Sequence, residues 1–258
     1  MYPLDLSKKV ALVFGVANSR SIAWSIANIL HEAGAQIILA YQNERVKKSV
    51  EKLVSEWDNS SLVECDVSKE ENVVKTIDEV SKITNNIDIV VHSIAFANRD
   101  NLGGQFLKTS QEDFKTALDI SAFSLISIAK HSSKLMTNNG GSILTLTFQA
   151  SNRVFPGYNV MGTAKAALEN EVRQLAYDLG ESNIRVNAIS AGPLDTLSSR
   201  VISHYHDMKN AASNRSPLKR NITHDEVAKT ALYLASEMSS GVTGEILHVD
   251  AGYNIMGI

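Results

Sequence analysis

The 258-residue chain contains a single cysteine, Cys65. A lone thiol excludes a disulfide within the chain and fits a reducing compartment. Neither sign of charge is in excess: the net charge is -3, with 21% charged residues. No global field therefore points to nucleic acid or an anionic membrane as a partner. No apolar run approaches the length a bilayer demands. The opening stretch, Met1 to Leu6, lacks the basic-then-apolar plan of a secretion signal. Together these absences set a cytoplasmic expectation. Also missing are a His-Glu-x-x-His pair, paired cysteines and a nucleophile elbow, so metalloenzyme and serine-hydrolase chemistry are not expected. His204 and His206 stand two apart, which on a helix points them to different sides, and they read as surface residues rather than metal ligands.

What is present is a regular alternation. Apolar runs at Lys9 to Gly15, Gln36 to Tyr41, Leu62 to Cys65, Ile87 to Ser93, Ser142 to Thr147, Ile184 to Ile189 and Glu245 to Val249 read as strands. Between them, helical spacing marks Ser21 to Ala33, Glu44 to Trp57, Lys69 to Ile83, Glu112 to Met136, Tyr158 to Leu179 and Asp225 to Ser236. Gly34 stands where a helix cap would. With 44% apolar residues, no linker, no repeat and no low-complexity segment, the pattern predicts one α/β domain over residues 1–258. Its architecture is a doubly wound, seven-stranded parallel sheet flanked by helices. Such folds bind ligands at the carboxyl ends of their strands, so the segments after each strand hold the candidate site.

After the first strand, Gly15 permits a tight turn and Ser21-Ile22 opens a helix. Free N–H groups and the helix dipole there would attract a pyrophosphate. The second and third glycines of a G-x-G-x-x-G loop are missing, and a plain β-α turn with Ser21 as N-cap explains the same residues equally well. Gln42, ending the second strand, can serve a ribose 2′-hydroxyl with its amide, whereas a 2′-phosphate would call for an Arg or Lys pair. The nearest base is Arg45, so the expected cofactor is NADH rather than NADPH. Asp66-Val67 follows the third strand, where a carboxylate can accept from an adenine amino group; a turn or helix-start acid is the alternative. Ser93 to Ala97 follows the fourth, with small residues that let a ring approach closely.

The densest stretch is Phe148 to Lys165. Tyr158 and Lys165 are seven apart, which on a helix sets both on one face. A phenol suits a developing oxyanion, and an ammonium beside it would hold a hydroxylated cofactor and favour the phenol's charge. Alone, the pair would read as a surface tyrosine and a solvated lysine. Its neighbours change that reading.

Taken together, Gly15 to Ala23, Gln42, Asp66-Val67, His92 to Ala97, Tyr158 to Lys165, Ile184 to Pro193 and Gly244 to Gly252 resemble the short-chain dehydrogenase/reductase superfamily. Within it, the chain resembles the bacterial NADH-dependent enoyl-acyl-carrier-protein reductases of type II fatty acid synthesis. The likeness runs essentially end to end. Its most specific element is Tyr, six residues, then Lys; the carbonyl-reducing branches space that pair by three and carry a serine thirteen before the tyrosine, where this chain has Thr145. The resemblance implies a Rossmann-type fold with a mobile substrate loop and helix at about 195–216. It implies that Tyr158 donates to a thioester carbonyl as the enolate forms and that Lys165 binds the nicotinamide ribose. It implies that Gly15, Ser21, Ile22, Gln42, Asp66, Val67, Ser93, Ile94 and Leu194, Asp195, Thr196, Leu197 and Ser198 hold the dinucleotide. Ala97, Phe148 and Tyr158 would touch substrate. Enoyl thioester on acyl carrier protein is the implied partner and a homotetramer the implied assembly.

Two residues depart from the family pattern. Phe148 stands where most bacterial members have a second tyrosine, and Asp195 where arginine is usual. An acidic carrier protein would prefer a basic mouth. Arg200, Lys209, Arg215, Lys219 and Arg220 could supply one, diluted by Asp195 and Asp207; a solvated loop of scattered charge is the plain alternative. The competing functions are a sister reductase recruited to another enoyl or carbonyl substrate, and a nucleotide-binding protein without turnover. The intact Tyr158 and Lys165 count against the last.

Overall fold

The computed structural model describes residues 4–98, 102–136, 140–197, 199 and 205–257. Seven strands are formed: β1 (Val10–Phe14), β2 (Gln36–Tyr41), β3 (Ser60–Glu64), β4 (Ile89–His92), β5 (Gly141–Thr147), β6 (Ile184–Ala191) and β7 (Ile246–Val249). They make one sheet in the order β3-β2-β1-β4-β5-β6-β7, and every pairing is parallel. This is the architecture the alternation predicts. Parallel strands joined by helices must be covered on both faces, and the strand interiors show why these sequences comply. Along β1, Ala11 and Val13 enter one apolar cluster while Val10, Leu12 and Phe14 enter the other. Ile37, Leu39 and Tyr41 of β2 divide from Ile38 and Ala40 in the same way.

The helices are α1 (Ile22–Glu32), α2 (Glu44–Leu53), α3 (Glu70–Ile83), α4 (Gln111–Leu118), α5 (Ser124–Ser132), α6 (Val160–Gly180), α7 (Tyr205–Arg215) and α8 (His224–Ala235). On one face Ala23, Ile26, Ala27 and Leu30 of α1 pack with Val227, Ala228, Ala231 and Leu234 of α8. On the other, Leu125, Ile128 and Ala129 of α5 pack with Leu168, Val172 and Ala176 of α6. Both tryptophans of the chain lie at the first face: Trp24 stacks on Trp57 with centroids 4.9 Å apart, and His31 stacks on Trp57 at 4.2 Å.

Two helix predictions need correction. The single helix expected over 112–136 is α4 and α5 joined by a π-helical turn, Asp119–Phe123. The wider turn rotates Ser121 and Ser124 inward, and both are buried. Helix α6 starts at Val160, not Tyr158, because Gly157 at φ 90° and Asn159 at φ 38° form a turn that cannot be helical. None of the helices among the described residues is long and apolar enough to cross a membrane.

The strand order reverses between β1 and β4, and there the connections leave to opposite faces. A crevice at the carboxyl ends follows, and Gly15 and Ser93 form its floor.

Candidate active site

Gly15 adopts φ +99°, and a Cβ built on it would lie 2.0 Å from the Ser93 carbonyl oxygen. Only glycine lets the exits of β1 and β4 approach this closely. The turn after Gly15 is closed by Ser21, whose hydroxyl accepts from the N–H groups of Ala17 (3.0 Å) and Asn18 (3.2 Å). Ser21 does occupy the N-cap position of α1, but its side chain makes no cap bond to the helix. Among the described residues, the Ile22 and Ala23 N–H groups accordingly have no acceptor. Donors left open at a helix start, over a glycine floor, fit a pyrophosphate.

Gln42 is exposed at the end of β2, open to a ribose. One Asp66 oxygen accepts from Ser68 N–H at 3.1 Å, the turn role weighed above, which leaves the second oxygen for an adenine amine. Val67, Ile94 and Ala97 are half-buried. Leu194 is buried at the exit of β6, followed by exposed Asp195, half-buried Thr196 and exposed Leu197; Ser198 lies outside the described residues.

Lys165 is buried on α6. Its ammonium donates to the carbonyls of Leu146 (2.8 Å) and Ile94 (3.2 Å), which pins the ends of β5 and β4 together. An ammonium has three N–H donors, so one remains for a ligand hydroxyl. Burial pulls its pKa down to about 8, against the opposing pull of Glu171 and Glu169. Glu171, pushed up to about 7 by its own burial, has one carboxylate oxygen with no partner among the described residues.

Tyr158 sits in the turn ahead of α6, so its placement comes from the turn and not from helical periodicity. The turn is fixed by the Asn159 side chain, which donates to the Gly103 carbonyl at 2.5 Å. It is also fixed by Gly162, whose bare Cα lets α6 approach the Ala150 carbonyl, where a Cβ would come within 2.7 Å. The Tyr158 ring packs against Phe148 with centroids 4.6 Å apart and edge-on to Phe155 at 6.3 Å. Burial first, and the neighbouring Tyr205 phenol second, raise its pKa above the usual tyrosine value. Burial thus favours the neutral phenol, which can give its proton or a hydrogen bond.

Thr145 is fully buried. Its hydroxyl lies 2.8 Å from His92 Nδ1, and His92 Nε2 lies 2.8 Å from the Ser124 hydroxyl. Ser124 donates to the Ile120 carbonyl at 2.7 Å, so it must accept from Nε2–H, and Nδ1 must accept from Thr145. Burial holds His92 neutral, down to about 3. The Thr145 proton is therefore committed to imidazole and cannot serve a ketone oxygen. Ser121, from the same π turn, both accepts from Phe96 N–H (2.8 Å) and donates to the Phe96 carbonyl (3.0 Å), fixing the segment after β4. Sequence reasoning missed Ser121 and Ser124; two serines inside an otherwise apolar helical stretch were the available signal.

Two of the cations at the mouth face carboxylates. Lys209 pairs with Asp195 at 2.5 Å, and Arg220 binds Glu226 through two nitrogens at 2.9 and 2.6 Å. Lys219 donates to the Asn214 carbonyl, and Arg200 and His204 lie outside the described residues. Among the described residues, two of the cations weighed for a basic mouth thus face carboxylates, and Lys209 gives Asp195 a counter-charge. No group of three or more metal-ligating side chains occurs among the described residues.

A family model described as "Enoyl-(Acyl carrier protein) reductase" matches residues 15–254. An enoyl-[acyl-carrier-protein] reductase [NADH] of Nostoc sp. is 48% identical over 258 residues, 99% of this chain and all of its own. One from Bacillus cereus is 47% identical, with 98% and 99% covered. The crystal structure of the Bacillus cereus enoyl-acyl carrier protein reductase with NADP+ and indole naphthyridinone superposes at a TM-score of 0.96, with 46% identity and full coverage of both chains.

Proposed function

The chain belongs to the enoyl-(acyl carrier protein) reductase family, and from that premise we propose how its residues perform the reaction. The protein is an NADH-dependent oxidoreductase of fatty acid synthesis that reduces the trans-2 double bond of an enoyl thioester carried on acyl carrier protein. The dinucleotide, when bound, supplies the hydride; the protein supplies position and a proton donor. The open N–H groups of Ile22 and Ala23 would take the pyrophosphate, Gln42 the adenosine ribose, and the third Lys165 donor the nicotinamide ribose. Tyr158 would donate its O–H to the thioester carbonyl as negative charge gathers there. Phe148 and Phe155 flank the ring of that phenol, and Phe148 brings no second hydroxyl. One donor per carbonyl is the result.

The observation that carries the enoyl reading over a carbonyl one is the Thr145 proton committed to His92. A ketone reductase would need that hydroxyl in the pocket. A homotetramer belongs to the same reading: Phe123 is 47% and Tyr177 85% exposed, on the layer of α5 and α6, and a second copy would cover them. So does a cytoplasmic site of action, where the buried thiol of Cys65 stays reduced.

The test is NADH consumption with a trans-2-enoyl thioester on acyl carrier protein, beside the same acyl group on coenzyme A. Turnover that favours the carrier protein is expected. The Tyr158→Phe variant should fold, bind NADH and lose about a hundred- to ten-thousandfold in turnover. Parent-like turnover in that variant removes Tyr158 as the donor.

A further inference from the structure

From Ser93 to Asn98 the chain leaves β4 and runs on without helix or strand. Two anchors set its course beside the reactive phenol. At the near end the Lys165 ammonium donates to the Ile94 carbonyl at 3.2 Å. Further on, Gly103 N–H donates to the Gly157 carbonyl at 3.0 Å, and the Asn159 side chain donates to the Gly103 carbonyl. Gly157 and Asn159 flank Tyr158, so the segment is strung from Lys165 to the turn that carries the phenol. Among the described residues, the peptide groups of residues 95–98 find partners at Phe96 alone.

That one hold comes from Ser121 in the π turn, which is fully buried. Its hydroxyl accepts from Phe96 N–H at 2.8 Å and donates to the Phe96 carbonyl at 3.0 Å. The described peptide bonds are all trans, and in a trans peptide the C=O and N–H point in opposite directions. With Phe96 N–H aimed at Ser121, the Ala95 carbonyl must point away from it. With the Phe96 carbonyl aimed there too, the Ala97 N–H must also point away. Neither group has a partner among the described residues. They face away from the buried serine, on the side where Ala95 and Phe96 are exposed. One acceptor and one donor on the same side of an extended segment are what a strand edge offers to an amide-bearing chain.

On the enoyl thioester reading such a chain is supplied by the substrate itself. The thioester hangs from a pantetheine arm with two amides, the first only two carbons beyond the sulfur. A thioester carbonyl held at Tyr158 therefore brings the arm alongside this segment. We propose that Ser121 is a positioning residue for the substrate. By holding both peptide groups of Phe96, it turns the Ala95 carbonyl and the Ala97 N–H outward to form a short ladder with the pantetheine amides.

The test follows NADH consumption by the parent and Ser121→Ala with two substrates. One is a trans-2-enoyl pantetheine thioester, the other its analogue in which ester oxygens replace both amide N–H groups. Thermal melts confirm folding, and NADH titration confirms an intact cofactor site. The parent should favour the amide thioester about three- to tenfold in kcat/KM, the worth of one hydrogen bond. In Ser121→Ala that preference should vanish through a rise in KM for the amide thioester, with kcat and the ester analogue little changed. Should the alanine variant fail to fold, Ser121→Cys, close in shape but a weaker donor, should show a reduced preference. Acyl carrier protein and coenzyme A share this arm; the assay above separates them, and the same loss is expected on either. A parent that reduces both pantetheine substrates equally, or a variant that lowers both alike, overturns the proposal while the enoyl reading stands. A parent that reduces neither overturns the enoyl reading, and the role of Ser121 with it.

Discussion

Replacing Gly15 with alanine puts the crevice floor to the test. Two penalties can be read from the structure. The backbone sits at φ +99°, where an L-residue is strained, and such strain costs about 1–3 kcal/mol. The new Cβ would stand 2.0 Å from the Ser93 carbonyl oxygen and 2.7 Å from its carbon. Both are backbone atoms, so no rotamer change relieves the contact and the exits of β1 and β4 must separate by roughly 1 Å. Overpacking of that kind costs about 1–3 kcal/mol. The total, about 2–6 kcal/mol, corresponds to a fall in melting temperature of roughly 5–20 °C for a domain of this size. The same separation misplaces the open N–H groups at α1, so NADH affinity should fall as well. Differential scanning calorimetry and an NADH titration are the assays. A variant that melts within about 2 °C of the parent and binds NADH as well would refute the close approach of Gly15 to Ser93.

Four further outcomes follow from the site. The buried ammonium of Lys165 is protonated below about pH 8, so NADH affinity should hold at neutral pH and decline as pH rises through that value; a flat profile into the alkaline range would remove Lys165 from the ribose site. Fold stability should move the other way, rising between about pH 8 and the ordinary lysine value, because there the unfolded chain binds the proton that the folded one has released. Thr145→Val should lose about 1–3 kcal/mol by stranding His92 Nδ1, while Thr145→Ser should keep both stability and turnover; a valine variant as stable as the parent would break the buried network. Gln42→Arg should shift preference from NADH toward NADPH, and an unchanged ratio of the two would void the role given to the Gln42 amide.

The sheet was legible because each buried strand is a short apolar run closed by a helix of clear period, as Val10–Phe14 and Ile22–Glu32 illustrate. The π turn was not. Insertion of one extra residue per turn leaves the apolar spacing of Ala117, Ala122 and Leu125 almost undisturbed, and only its consequence, two serines facing inward, is distinctive. Tyr158 and Lys165 were read as a pair on one helix face, and that geometric reason fails. Gly157 and Asn159 break the helix between pattern and phenol, and the turn signals in Pro156-Gly157 were outweighed by the motif's spacing. Asp195 could not be resolved from sequence at all, since its partner lies fourteen residues away across a polar stretch with no period to register it. The basic mouth stayed open between docking and scattered charge for the related reason that counting cations does not count the carboxylates that face them, as Glu226 faces Arg220.

The stacked rings of Trp24, Trp57 and His31 have a consequence for observing this protein. The chain has two tryptophans, so its ultraviolet emission arises from one spot. Trp24 occupies the first turn of α1, beside the N–H groups offered to the pyrophosphate. Reduced nicotinamide absorbs where indole emits, and occupancy of the crevice should therefore dim that light by energy transfer. Arrival and departure of the dinucleotide could then be followed in real time, in the native chain, without a label.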